Sequence, residues 1–253
     1  MNLRKTHNAG TNSEVYADEP DRIVGGTDAA LGEFPYQVSL RNGNSDFHFC
    51  GGTIVSNKHI ITAAHCLIGK KLEDITVVSG SVKLDDPSGQ IHRIQNYTLY
   101  PDYMADPSYS WVHDAGMITL AEPMVFNENQ KPIPVAKADP PAKAALNFTG
   151  WGAQRVGGRS PNHLQKATLY YVENEACQEI YGYTPIYYTH LCALHSAGIG
   201  ACSVSIAIGG PLVYNGELVG IASWVALCAR GVPDVFTKAR YYEGFFDMVM
   251  REL

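Results

Sequence analysis

The sequence lacks the long apolar runs, the basic excess and the paired cysteine motifs that mark several large functional classes. It has no run of about 18 apolar residues, so no membrane-spanning helix is predicted. The net charge is −6 and Lys and Arg are scattered, which argues against a nucleic-acid partner, since such a partner needs a basic face. No C-x-x-C pair occurs and the nine histidines show no ligand spacing beside the cysteines, so neither a metal site nor a cofactor is predicted.

The N-terminal stretch is polar and contains no apolar signal-peptide core. We interpret residues 1–22 as a leader or pro-segment. The six cysteines are an even number, which fits three disulfide bonds in a secreted chain but leaves their pairing open. Glycosylation sequons at Asn96 and Asn147 also fit a secreted, extracellular protein.

Short apolar or alternating runs separated by Gly, Asn, Asp and Pro predict antiparallel hairpins that close into barrels or a sandwich. Asn215 and Gly216 stand at the centre of one predicted hairpin turn. Helical periodicity is seen at the C-terminus, where one face carries Tyr242, Phe245, Phe246, Val249 and Leu253. The proline-rich segment 130–146 is interpreted as a crossover between two halves.

His65 and Asp114 are candidate catalytic residues, because His65 stands at the end of one apolar strand and Asp114 at the head of another. An aspartate that meets a histidine through folding can orient the imidazole and select its tautomer. Either residue alone is more often structural. Together with four further motifs in this order, they become specific: RIVGG at 22–26, FCGGTIVS at 49–56, GWG at 150–152 and GGPLV at 209–213.

With these motifs the chain resembles the trypsin and chymotrypsin family of serine proteases from Ile23 onward. The resemblance implies an all-β fold over 23–253, with two six-stranded antiparallel barrels and a C-terminal helix. The first barrel would span about 23–130, the crossover about 130–146, and the second barrel with the helix about 147–253. It also implies the disulfide bonds Cys50–Cys66, Cys177–Cys192 and Cys202–Cys228. Within the family, the chain resembles mite gut trypsins of the group 3 allergen type.

In this resemblance His65 matches the general base and Asp114 the acid that orients it. The nucleophilic serine, which directly precedes the paired glycines, is replaced by Ile208. From Cys202 to Gly209 is a step of seven residues, two more than in the family. Two serines, Ser203 and Ser205, lie in this longer segment, but each would need the loop to change register in order to approach His65.

Other positions that the resemblance assigns to catalysis and substrate binding also depart from the family. The glycine and aspartate before the serine are Ile206 and Ala207, so the oxyanion hole and the partner of an activated N-terminus are expected to be lost. The specificity pocket is expected to be obstructed, with Gly200 in place of its base aspartate and Val225 and Asp234 in place of glycines.

The site Arg22–Ile23 resembles the activation cleavage site of a zymogen. From these departures we expect a pseudoprotease that is not an enzyme, with His65, Asp114 and Ile208 as relic triad positions.

The resemblance further points to the scabies mite inactivated serine protease paralogues. It implies a protein secreted into the gut lumen that binds host plasma proteins and inhibits defence cascades such as complement. Tyrosine clusters at 99–111 and 180–188 suggest a surface exosite for such a partner. The alternatives are a residual or altered hydrolase that uses Ser203 or Ser205, and a decoy that shields substrates from active paralogues.

Overall fold

A closed antiparallel barrel forms the first half of the protein in the computed structural model, which describes residues 26–152, 160–194, 208–224 and 232–252. Its strands are β2 (Gln37–Asn42), β3 (His48–Ile54), β4 (His59–Thr62), β5 (Ile75–Ser79), β6 (Gln90–Leu99) and β7 (Gly116–Leu120). They run in the spatial order β2, β3, β4, β7, β6, β5, and β5 pairs back with β2. The apolar residues of β4 and β7 are completely buried, which is why these segments read as continuous apolar runs.

A second closed barrel follows, with the strands β8 (Ala145–Gly150), β9 (Gln165–Val172), β10 (His190–Leu194), β11 (Pro211–Tyr214), β12 (Glu217–Trp224) and β13 (Asp234–Lys238). Their spatial order is β9, β10, β13, β12, β11, β8, and β8 pairs back with β9. The short strand β1 (Thr27–Asp28) pairs with β9 outside the barrel. The predicted fold class, two six-stranded antiparallel barrels with a C-terminal helix, is therefore confirmed.

The predicted hairpin turn joins β11 to β12 through Asn215 and Gly216, whose φ values are 49° and 79°. Positive φ at both central residues is the geometry that an Asn-Gly pair favours in a two-residue hairpin. Between the barrels, Ile133 donates a backbone hydrogen bond to Ile54 of β3, and Ala136 donates one to Leu218 of β12. The proline-rich segment thus contacts both barrels.

The C-terminal helix α2 (Glu243–Glu252) follows a 3₁₀ turn at Ala239–Tyr242. Its buried face contains Phe245, Phe246 and Val249, as the sequence periodicity predicts, and Tyr242 is also buried. A second helix, α1 (Asn174–Tyr181), was not predicted from the sequence. Only Cys177 is buried in α1, so its sequence carries almost no apolar periodicity by which it could be recognised.

Two disulfide bonds are formed within the described ranges, Cys50–Cys66 in the first barrel and Cys177–Cys192 between α1 and β10. Cys202 and Cys228 lie outside the described residues. No helix among the described residues is long and apolar enough to cross a membrane.

Candidate active site

His65 lies just after β4, in a 3₁₀ turn that spans Ala64–Cys66. The neighbouring Cys66 is bonded to Cys50 of β3, and both cysteines are buried. Ala63 and Ala64 are completely buried, so this turn is packed against the core of the first barrel. The His65 side chain itself is 26% exposed, which leaves part of the imidazole accessible to solvent.

Asp114 stands two residues before β7, at the end of a loop with unusual backbone conformation. Ser110, Trp111 and His113 all have positive φ values, between 47° and 64°. Such values cost non-glycine residues energy and persist where surrounding contacts impose them. The loop turns Asp114 inward, where its side chain is completely buried.

The structure brings the two candidate residues together. His65 Nδ1 lies 2.7 Å from Asp114 Oδ2, and the backbone N–H of His65 donates to Asp114 Oδ1 at 2.9 Å. A carboxylate that accepts from Nδ1 leaves Nε2 as the nitrogen that can take a proton from a nucleophile. The pair therefore has the geometry of a general base with its positioning acid.

Sequence reasoning missed the third member of this arrangement, Ser223 on β12. Its hydroxyl donates to Asp114 Oδ2 at 2.7 Å, and Thr237 Oγ1 donates to the Asp114 carbonyl oxygen at 2.9 Å. The Ser223 bond helps to satisfy a buried carboxylate that would otherwise be costly to desolvate, and the Thr237 bond holds the Asp114 backbone. The only local signal for Ser223 was its place in the Ser-Trp pair at the end of an apolar strand.

Two opposing effects set the pKa of His65. Burial alone would lower it, because it disfavours the charged imidazolium. The negative charge of Asp114 and its hydrogen bond outweigh burial, so the pKa of His65 is raised above its ordinary value. His65 is consequently a stronger base than a free histidine.

Ile208 stands at the start of a turn against the first barrel. Its carbonyl oxygen accepts a hydrogen bond from the Gly51 N–H at 2.7 Å, and its half-buried side chain packs against the core of that barrel. Gly209 follows with φ of 76° and donates to Ala222 at 2.8 Å. A Cβ on Gly209 would lie 2.3 Å from Thr62 Oγ1 and 2.6 Å from the Gly51 carbonyl oxygen, so only glycine fits there.

Aromatic rings surround the end of β12. The Trp224 ring lies 5.9 Å from Trp111 and 5.2 Å from Tyr181, measured between ring centroids. Nearby His190 is buried, and burial lowers its pKa to about 4, so it is neutral at physiological pH. Asp234, the pocket position that is described, begins β13 and is 7% exposed.

Several predicted site residues lie outside the described residues. They are Arg22, Ile23, Gly200, Ser203, Ser205, Ile206, Ala207 and Val225. The sequon asparagines are described: Asn96 is half-buried on β6 and Asn147 is exposed on β8.

Within the described ranges, one group of metal-ligand residue types lies close together, namely Cys50, His65 and Cys66. The two cysteines are joined in a disulfide bond, so they are not thiolate ligands. This donor set does not fit a zinc ion.

Comparison with known proteins gives a consistent result. The family model for trypsin matches residues 23–245. The chain is 35% identical to a trypsin of Saccharopolyspora erythraea, over 91% of this chain and 98% of the relative. It is 38% identical to chymotrypsin-2 of Vespa crabro, over 85% and 94%. Among solved structures it resembles neuropsin, a serine protease expressed in the limbic system of mouse brain, with a TM-score of 0.81, 27% identity and coverage of 89% and 99%.

This comparison contradicts the expectation that the chain is not an enzyme. Relatives at 35% and 38% identity are named trypsin and chymotrypsin, and the fold matches that of a serine protease. The expectation rested on Ile208 together with the departures expected at the oxyanion hole and the specificity pocket, and most of those positions lie outside the described residues. The match over 23–245 and the two barrels show that the chain belongs to the trypsin family of serine proteases.

Proposed function

We propose that the protein is a secreted hydrolase of peptide or ester bonds, with His65 as its general base and Ser203 or Ser205 as its nucleophile. The observation that carries the proposal is the 2.7 Å contact between His65 Nδ1 and the buried carboxylate of Asp114. Secretion is supported by the disulfide bonds and by the fact that members of the trypsin family are usually secreted.

The proposed reaction follows from this geometry. The serine oxygen attacks the carbonyl carbon of the substrate while His65 Nε2 takes the hydroxyl proton. His65 then gives this proton to the leaving amine or alcohol, and an acyl-enzyme remains. Water, deprotonated in turn by His65, releases the acyl group and restores the serine. Asp114 keeps the imidazole oriented throughout and stabilises its protonated form.

The proposed substrates differ from those of a trypsin. Gly200 supplies no charge for a Lys or Arg side chain, while Val225 and Asp234 add side chains where the family has glycine. A pocket filled in this way favours a small side chain next to the bond that is cut. We therefore propose esters or amides of small acyl groups as substrates.

The test is covalent labelling of the protein, cleaved after Arg22, with a fluorophosphonate probe, followed by peptide mapping. We expect the label on Ser203 or Ser205, with its loss in the matching serine-to-alanine variant and in His65→Ala. Ser45→Ala, in the exposed loop between β2 and β3, is the control and is expected to label normally. The proposal would be overturned if neither serine is labelled in protein whose His65 still has the raised pKa that its contact with Asp114 produces.

A binding function is a second candidate, favoured by exposed tyrosines on the second barrel. Tyr183 is fully exposed, Tyr188 is 68% exposed and Tyr241 is 39% exposed. Tyrosine offers a large amphipathic contact area at low entropic cost, and it is enriched at protein interfaces. By resemblance, the partners proposed are host plasma proteins of defence cascades, complement components among them, met in the gut lumen.

The second candidate is tested by complement-mediated lysis at stoichiometric amounts of the protein. We expect slower lysis with the native protein and full lysis with Tyr183→Ala combined with Tyr188→Ala. Phe47→Ala removes an exposed aromatic ring from the first barrel and serves as the matched control. Unimpaired lysis at excess native protein contradicts the binding proposal. Protection of a peptide substrate from an active trypsin, without any effect on lysis, would favour the substrate-shielding alternative.

A further inference from the structure

Two exposed phenol groups touch on the surface of the second barrel. The hydroxyl oxygens of Tyr188 and Tyr241 lie 2.9 Å apart, and the ring centroids are 5.2 Å apart with an interplanar angle of 74°. Tyr188 is 68% exposed and Tyr241 39% exposed, so both rings are open to small molecules in solution. Fifty-three residues separate the two tyrosines in the chain.

The surrounding structure holds Tyr241 in this position. Its ring stacks on His113 at 6.2 Å, with an angle of 27°, and contacts the buried ring of Tyr242 at 5.0 Å. Tyr242 in turn is fixed by a hydrogen bond of 3.0 Å between its hydroxyl and His113 Nδ1. Tyr241 therefore stands on an aromatic cluster that packs into the core.

Tyr188 is held from the other side by the backbone. Its neighbour Thr189 is buried and accepts a hydrogen bond from the Lys238 N–H at 2.8 Å. The His190 N–H donates to the Tyr187 carbonyl oxygen at 2.9 Å, which closes the turn before β10. The contacts around both tyrosines therefore hold the two phenol groups next to each other in the folded protein.

Contact between the hydroxyls also brings reactive carbons together. Each ortho carbon is bonded to the carbon that carries the hydroxyl, so rings that touch at their hydroxyls present their ortho carbons at the same edge. Among the described residues, two other close tyrosine pairs occur, Tyr100–Tyr242 and Tyr241–Tyr242, and both include Tyr242, which is 1% exposed. An oxidant in solution reaches the pair Tyr188–Tyr241 more easily than either of these.

We propose that Tyr188 and Tyr241 form a site for an intramolecular dityrosine cross-link, made by a haem peroxidase with hydrogen peroxide. Each phenol loses one electron to the peroxidase and one proton to solvent. The two phenoxyl radicals join through their ortho carbons in a new C–C bond, and a hydrogen then moves from each joined carbon back to its oxygen. One hydrogen peroxide takes up the two electrons and two protons and becomes two water molecules.

The cross-link would join the segment 182–189 to Tyr241, which lies in the 3₁₀ turn Ala239–Tyr242 before α2. It would restrict the unfolded chain as a disulfide bond does, and so raise the midpoint of thermal unfolding. It would also fix the exposed tyrosine surface in one arrangement. This inference does not depend on whether the protein hydrolyses a substrate or binds a partner.

The test treats the purified full chain with a haem peroxidase and hydrogen peroxide, then maps cross-linked peptides by fragmentation mass spectrometry. We expect a peptide pair joined at Tyr188 and Tyr241, lighter by two hydrogens than the separate peptides, in monomeric protein. The yield should not change when the protein is diluted tenfold, because the reaction is intramolecular.

Tyr188→Phe keeps the ring but removes the hydroxyl, and we expect it to abolish this product. Tyr183→Phe is the matched control, because Tyr183 is fully exposed and lies in the same segment; the product should remain. The proposal is overturned if the cross-link appears only in dimers, if its yield falls in proportion to protein concentration, or if the joined residues are other tyrosines.

Discussion

Ser223 on β12 of the second barrel donates its hydroxyl to Asp114, two residues before β7 of the first barrel, at a distance of 2.7 Å. The same carboxylate oxygen is the partner of His65 Nδ1, and the other accepts the His65 N–H. The orientation of the imidazole therefore depends on both barrels. A change in the relative position of the two barrels would therefore disturb the hydrogen bonds of Asp114, and with them the orientation of His65, even if each barrel kept its own structure.

The first prediction concerns the pH dependence of His65. Its raised pKa means that the imidazole loses its proton above pH 6.5, so base-catalysed hydrolysis should increase with pH through a midpoint above that value. The stabilising contribution of the protonated pair is fully present below pH 6.5 and is lost as pH rises through the folded-state value. Imidazole chemical shifts in an NMR titration measure this pKa directly.

Asp114→Asn should reverse the shift. Without the carboxylate charge, burial dominates and the pKa of His65 should fall below 6.5. Asp139→Asn removes a carboxylate that pairs with Arg240 and Lys238 instead, and it should leave the His65 titration unchanged. A His65 pKa that is equal in Asp114→Asn and in the native protein would contradict the assignment of Asp114 as the charge that raises it.

The second prediction concerns Gly209. Gly209→Ala places a Cβ against Thr62 and Gly51 at positive φ, and should lower the free energy of unfolding by roughly 2–5 kcal/mol, from backbone strain plus overpacking. Gly216→Ala also has positive φ but open space around it, so it should cost only about 1–2 kcal/mol. Urea denaturation of both variants separates the two contributions, and equal losses would show that the close packing at Gly209 relaxes.

The third prediction concerns the disulfide bond Cys177–Cys192, which closes a loop of 15 residues and ties α1 to β10. Replacing both cysteines by alanine should cost about 2–4 kcal/mol, which corresponds to a fall of roughly 4–16 °C in the melting temperature. The His65 titration serves as the control and should not change, because neither cysteine takes part in the hydrogen bonds of His65 and Asp114. An unchanged melting temperature by calorimetry would show that the bond contributes nothing to stability.

The fourth prediction concerns Tyr241, whose pKa is raised to about 12, chiefly by its hydrogen bond with Tyr188. Tyr188→Phe removes this partner, so the pKa of Tyr241 should move down towards the ordinary value near 10. NMR of the phenol carbon signals at alkaline pH follows the ionisation, with Tyr183→Phe as the control that should leave it in place. No difference between the two variants would show that the two hydroxyls are not bonded in solution.

Much of the secondary structure could be predicted from residues that are close together in the sequence. Alternating apolar runs predicted the antiparallel strands, Asn215–Gly216 predicted its hairpin turn, and the spacing of Tyr242, Phe245, Phe246 and Val249 predicted a helix face. Each of these features is decided by residues close together in the chain. Helix α1 was not predicted because Cys177 is its one buried residue, which leaves no apolar stripe in its sequence.

The sequence by itself also determined which side chains could do chemistry, and it singled out His65 and Asp114 by type and by position at strand ends. Only the tertiary structure decided that Ser223 completes their hydrogen bonding and that Tyr188 meets Tyr241, because these contacts join residues far apart in the chain. The same limit explains why Ile208 and the departures near it led to the wrong expectation that the chain is not an enzyme. A nucleophile is defined by its distance to His65, and in a segment of altered length the order of residues does not determine that distance.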